Sequence, residues 1–161
     1  YFERKFAEKN LVWQTITEFS YLLLTSQNSP IAKKKYVESK DLSDYMEITH
    51  ADPYVPSLPL LDARKAEMSE FVDKRIFIFE RGSQFGLLEK VPNTFMWVSP
   101  VPKDLLDKYN LVQIPASNSK KHKDVLIYRK DYKLSHLDNC FIDMVIKAKR
   151  KYLDEPFAGN I

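Results

Sequence analysis

Apolar residues in this chain come in short runs, none long enough to cross a bilayer, separated by polar turns. The first run is LVWQTITEFSYLLLTS, Leu11 to Ser26, rich in β-branched and aromatic side chains and therefore strand-like. Val12, Gln14, Ile16 and Glu18 alternate with Trp13, Thr15, Thr17 and Phe19. Neither set is wholly apolar, which places this part near a sheet edge or a crossover. Tyr21 to Leu24 is apolar throughout and predicts a strand buried on both faces. Further strands are predicted at Met46–Thr49, at RIFIFE (Arg75–Glu80), at NTFMWVSP (Asn93–Pro100), at LVQIP from Leu111, and at DVLIYRK from Asp124.

Helical spacing fills the intervals. Pro53, Pro56 and Pro59 forbid helix until about Leu60, after which Leu61, Met68, Phe71 and Val72 mark an amphipathic helix. Gly82 and Ser83 predict a turn into a short helix, Phe85 to Lys90. Another short helix follows Pro102 and stops at Asn110. The last runs from Ser135 to about Tyr152, with Ser135 and Asp138 spaced as a capping box. Its stripe of Leu137, Phe141, Met144, Val145, Ala148 and Tyr152 predicts packing on a larger body, and Lys147 to Lys151 offset the negative end of the helix dipole. Strands alternating with short helices give an α/β fold with a mostly parallel sheet.

Composition narrows the function. With 25 basic and 22 acidic residues the net charge is only +3, small for a dedicated nucleic-acid module, and Lys33–Lys35 reads as a solvated loop. The single cysteine, Cys140, excludes an intramolecular disulfide and fits a reducing compartment. The chain opens on Tyr1-Phe2-Glu3-Arg4-Lys5-Phe6 with helical spacing already in progress, which reads as a piece of a longer protein.

Three glycines leave room for no phosphate-binding glycine loop. His50, His122 and His136 lack partners at metal-ligand spacing, so neither metal nor cofactor is expected. RGSQFG is one position off the nucleophile-elbow pattern, and no catalytic residue is assigned. Ligands of parallel sheets bind beyond the carboxyl ends of the strands. That rule selects Thr49, His50 and Asp52 after one strand, Ser83 and Gln84 after the next, and Ser99 after a third. Ser83 either caps its helix or, with the neighbouring N–H groups, receives an anion; both can hold. His50 is either structural or a ligand contact, and Trp97 either core or the wall of a pocket.

Several phrases, taken in order, resemble the effector-binding domain of LysR-type transcriptional regulators. FSYLLLTSQNSPIAKKKYVESKDLSDYMEI is similar to a passage of that family running strand, polar turn, basic stretch, helical turn and strand. Where the family's turn ends in His-Pro-Leu-Ala, this chain has Ser29-Pro30-Ile31-Ala32. RIFIFERGSQFGLLEKVPNTFMWVSP stands where the family lines its effector cleft, and LVQIP with DVLIYRKDYKLSHLDNCFIDMVI resembles its ending. A departure is Pro92-Asn93-Thr94-Phe95-Met96-Trp97, where the family often has a glycine-rich step.

The resemblance covers about residues 11–152 and implies a periplasmic-binding-protein-like fold. Two Rossmann-like subdomains would be joined by two crossover strands, near Thr17 to Leu22 and near Leu126 to Lys130, with the first subdomain largely missing. Residues 1–21 would be its remnant and the first crossover, 22–125 the second subdomain, and 126–161 the second crossover and the returning helix. It further implies a cytoplasmic, bacterial, non-enzymatic sensor that forms a homo-oligomer, dimer or tetramer. Its partner would be a small-molecule effector held by Thr49, His50, Asp52, Ser83, Gln84 and Trp97. DNA would be a partner only through a helix-turn-helix domain outside this chain, and no membrane is involved. A solute-binding protein of the periplasmic class is the alternative, and an α/β hydrolase a more distant one.

Overall fold

In the computed structural model the described residues are 8–50, 72–117 and 121–152. The chain divides into two compact units, Tyr21–Lys120 and the paired segments Tyr1–Ser20 and Lys121–Ile161.

Among the described residues the unit Tyr21–Lys120 has five strands: β2 (Leu22–Ser26), β3 (Met46–His50), β4 (Arg75–Ile78), β5 (Thr94–Val98) and β6 (Leu111–Ile114). Their order across the sheet is β4-β3-β5-β2-β6. Strand β3 is parallel to both β4 and β5, whereas β2 is antiparallel to its neighbours β5 and β6. Four strands therefore run one way and β2 alone runs against them, which refines the expected mostly parallel sheet.

Strand alternation sorts the core onto two faces. On one, Leu23, Phe95 and Ile114 pack with Ile31, Val37, Leu42 and Val72. The first three of these covering residues come from the β2–β3 connection, which folds as two 3-10 turns, Pro30–Lys33 and Ser39–Leu42. Pro30 opens the first with its φ already set. In the second, Asp41 accepts from the Glu38 N–H at 3.0 Å and pairs with Lys34 at 2.7 Å. On the other face Leu24, Ile48 and Leu111 pack with Leu88 of helix α1 (Arg81–Lys90), and with Leu106 of α2 (Lys103–Lys108) and the following Tyr109. Each fully buried side chain of this kind contributes about 1.5–3 kcal/mol. Two buried hydroxyls of the sheet are satisfied: Thr25 Oγ1 donates to Thr94 O at 2.8 Å, and Thr94 Oγ1 to Val91 O at 2.6 Å. Asn110 closes α2 in the left-handed region, φ 51°, where asparagine is tolerated.

Two expected boundaries move in this unit. β4 ends at Ile78, and α1 starts at Arg81 rather than Phe85, because the Glu80 carboxylate caps it. Phe77 on β4 and Phe79 just after it, expected to lie within a buried strand, are exposed; among the described residues β4 pairs with β3 alone. The amphipathic helix expected after Leu60 lies outside the described residues up to Val72, and so does most of the opening helical stretch.

The other unit holds β1 (Leu11–Ser20), β7 (Lys121–Arg129) and α3 (His136–Tyr152). β1 and β7 form an antiparallel ribbon from Leu11↔Arg129 to Ser20↔Lys121, with a bulge at Ile16 between Thr15 and Thr17. β7 begins at Lys121, three residues before the expected start at Asp124. Its polar beginning makes contacts across the ribbon: Lys123 pairs with Glu18 at 3.0 Å, and the His122 ring stacks on Phe19 at 5.9 Å. The capping box of α3 forms as expected, Ser135 N donating to Asp138 Oδ2 at 2.7 Å and Asp138 N to Ser135 Oγ at 3.2 Å. The apolar stripe does not find the expected cover: Leu137, Phe141 and Met144 are 78%, 59% and 69% exposed. Among the described residues no helix is long and apolar enough to cross a membrane.

Candidate functional site at the carboxyl edge of the sheet

Because β3, β4, β5 and β6 run the same way, they end on one edge, at His50, Ile78, Val98 and Ile114. β2 starts at that edge, with Leu22 opposite Val98. The loops that leave it carry the chemistry.

After β4 the chain turns into α1, and its first-turn donors converge on one carboxylate. Glu80 Oε1 accepts from Gly82 N at 2.7 Å, while Oε2 accepts from Ser83 N and from Ser83 Oγ, both at 2.6 Å. The Ser83 hydroxyl first, and then the two N–H groups, hold the Glu80 carboxyl below the usual carboxylate range. Gly82 suits this arrangement, since a Cβ there would lie 2.9 Å from Glu80 Oε1. One residue on, Gln84 is only 4% exposed, and its buried Nε2 has no hydrogen-bond partner. His50, half-buried at the end of β3, carries an Nδ1 in the same condition. A buried donor left unmet costs about 1–3 kcal/mol, so each is a place where a bound group would be stabilising.

The residues selected from strand ends do not all share one face. His50 follows Ile48 by two positions and so lies on the α1 face, together with the helix that carries Ser83 and Gln84. Thr49 points to the opposite face. So does Trp97, which packs against the Leu23–Phe95 cluster with its ring edge-on to Phe95 at 5.8 Å and 84°. Asp52 lies outside the described residues.

Two residues of the edge escaped sequence reasoning. Glu80 is one. Gln113 is the other, buried near the end of β6: its Oε1 accepts from Val101 N at 2.9 Å, and its Nε2 donates to Ser99 O at 3.0 Å. It thereby holds the loop that leaves β5. The available signal was a polar residue inside the apolar run LVQIP. Gln113→Leu orphans both backbone groups, and urea denaturation is expected to show a loss of about 1–3 kcal/mol. An unchanged midpoint would mean that the loop needs no such support. Among the described residues no group of three or more potential ligands is placed to hold a metal ion.

No protein-family model and no curated protein sequence matches the chain. Solved structures do. The regulatory domain of MetR, a LysR-family regulator from N. meningitidis, aligns over 89% of this chain and 66% of its own, with a TM-score of 0.63 and 13% identity. The effector-binding domain of QuiR, in complex with shikimate, aligns over 90% and 68%, with a TM-score of 0.59 and 18% identity. The fold is that of a LysR-type regulatory domain. The regulatory domain of Synechocystis CcmR, in complex with 2-PG, repeats the match over 86% and 67%, with a TM-score of 0.61 and 13% identity. The chain thus spans about two thirds of these three chains. The chain enters the unit Tyr21–Lys120 from one strand of a paired ribbon, β1, and leaves it into the other, β7.

Proposed function

We propose that this chain is the greater part of the ligand-sensing domain of a bacterial LysR-type transcriptional regulator. The unit Tyr21–Lys120 is its second subdomain, β1 and β7 its crossovers, and α3 the helix that returns to the first subdomain. The exposed stripe Leu137–Phe141–Met144 supports this, since residues of the longer protein would cover it. The effector is a small molecule, a reading supported by the QuiR domain in complex with shikimate and the CcmR domain in complex with 2-PG. It binds one arrangement of the regulator more tightly than another and so shifts a homo-oligomer between them, without bond chemistry. DNA is contacted by a helix-turn-helix domain elsewhere in a cytoplasmic protein.

The observation that carries the reading is the buried, unmet Nε2 of Gln84 at the carboxyl edge. His50 stands with it on the α1 face, Ser83 and Thr49 supply hydroxyls, and Asp52 and Trp97 are proposed contacts from the same edge. Thermal-shift screening of the full-length protein against amino acids, nucleobases and small carboxylic acids is expected to find a class that raises the melting midpoint. At a hundredfold excess over Kd the gain is about 2.7 kcal/mol. Gln84→Leu separates function from packing. It removes an unmet donor, so the ligand-free protein is expected to gain about 1 kcal/mol while the effector-induced shift falls. Turnover of any compound in the screen, or an undiminished shift in Gln84→Leu, would count against the reading.

A further inference from the structure

We infer that Glu80 sets the chemical class of the effector: it fills the anion seat at the start of α1 with the chain's own carboxylate, so the effector group facing α1 is neutral or cationic. The inference rests on the carboxyl edge being the effector site. The exposed N–H groups of a helix's first turn attract anions, because no earlier carbonyl reaches them and the helix dipole is positive there. In α1 the donors of Gly82 and Ser83, backbone and hydroxyl, are all directed at Glu80 over 2.6–2.7 Å. An external carboxylate or phosphate has to displace a group tethered two residues away, whose effective concentration is that of an intramolecular partner. It also has to approach a fixed negative charge of its own sign. The absent side chain at Gly82 keeps the seat open for Glu80 rather than for a ligand. What remains for a ligand on this side of the edge is the exposed outer face of the Glu80 carboxylate, which accepts hydrogen bonds, with the unmet Gln84 Nε2, which donates one, and the unmet His50 Nδ1.

The test titrates inorganic phosphate into the full-length protein at constant ionic strength, reading the melting midpoint and the heat of binding. Wild type is expected to show no saturable response. Glu80→Ala is expected to gain one, at least about tenfold tighter than any phosphate binding by wild type, because a tethered competitor is gone. Glu80→Gln keeps the length and one acceptor but loses the charge, and its affinity should fall between the two. If Glu80→Ala does not fold, Glu80→Gln decides alone: a gain supports the inference and no gain overturns it. Equal phosphate affinity in wild type and variants also overturns it. A wild-type effector that proves to be an anion, bound equally well by Glu80→Gln, sinks the inference and leaves the sensor reading standing. Phosphate binding gained by the variants, with no effector found for wild type, leaves Glu80 as the occupant of the seat but overturns the sensor reading and with it the effector class.

Discussion

Replacing Arg75 by alanine is expected to cost about 3–5 kcal/mol of folding stability, the range found when one partner of a buried ion pair is removed. Arg75 opens β4 directly opposite Glu47 of β3, and its Nε donates to Glu47 Oε2 at 2.9 Å. Glu47 is 4% exposed. Burial pushes its carboxyl above the ordinary glutamate value, and the hydrogen bond and charge of Arg75 pull it only part of the way back. Because the folded value is raised, the stabilisation linked to this proton is complete below the ordinary glutamate pKa and is lost as pH rises through the folded one. Without Arg75 the folded value rises further, so the deficit of Arg75→Ala should be largest near pH 7 and shrink towards about pH 4, where Glu47 can enter the core neutral.

Urea denaturation at the two pH values measures both the loss and its pH dependence. Glu47→Leu combined with Arg75→Met is expected to recover most of the loss, since neither charge is then left alone. A deficit under about 1 kcal/mol in Arg75→Ala, the worth of a surface pair, would mean that solvent reaches Glu47.

The strands were legible because each is a short apolar run bounded by turn residues, and the sheet they form is the one that strands alternating with helices imply. The reversed direction of β2 was not legible. Leu22 to Ser26 reads the same whichever way it runs, and its direction is set by pairing with β5 and β6, partners about ninety residues or fewer away in sequence. The start of α1 was missed for a related reason. Glu80 belongs by composition to the strand RIFIFE, and only the placement of the Gly82 and Ser83 N–H groups makes it a cap. The carboxyl-edge rule selected Thr49, His50, Asp52, Ser83, Gln84 and Ser99, and Trp97 was singled out beside it as core or pocket wall. Neither reading could sort Thr49 and Trp97 onto the face opposite His50. A count of period two would have done so, once Ile48 and Phe95 were known to face opposite clusters. The stripe of α3 was legible as apolar, but periodicity reports a face and not what covers it.

Phe95→Ala is expected to lower stability by about 3–5 kcal/mol, the usual cost of deleting a buried aromatic ring. Phe95 is fully buried on β5, the middle strand, between Thr25 of β2 and Glu47 of β3. Its ring packs with Leu23 and Ile114 and receives Trp97 edge-on, a contact worth about 0.5–1.5 kcal/mol beyond burial. Neighbouring backbones in the ladder hold their spacing, so the space left by the ring collapses only in part. In urea the midpoint should fall while the m-value stays constant, because the surface exposed on unfolding barely changes. Phe95→Leu, which refills most of the volume, should lose much less. At temperatures where it remains folded, Phe95→Ala should still bind the effector, losing no more than the contact that Trp97 makes. Phe95 faces the cluster opposite α1, whereas Gln84 and Glu80 act from the α1 side of the carboxyl edge. A large fall in the affinity of folded Phe95→Ala would instead place the effector contacts on the Trp97 face.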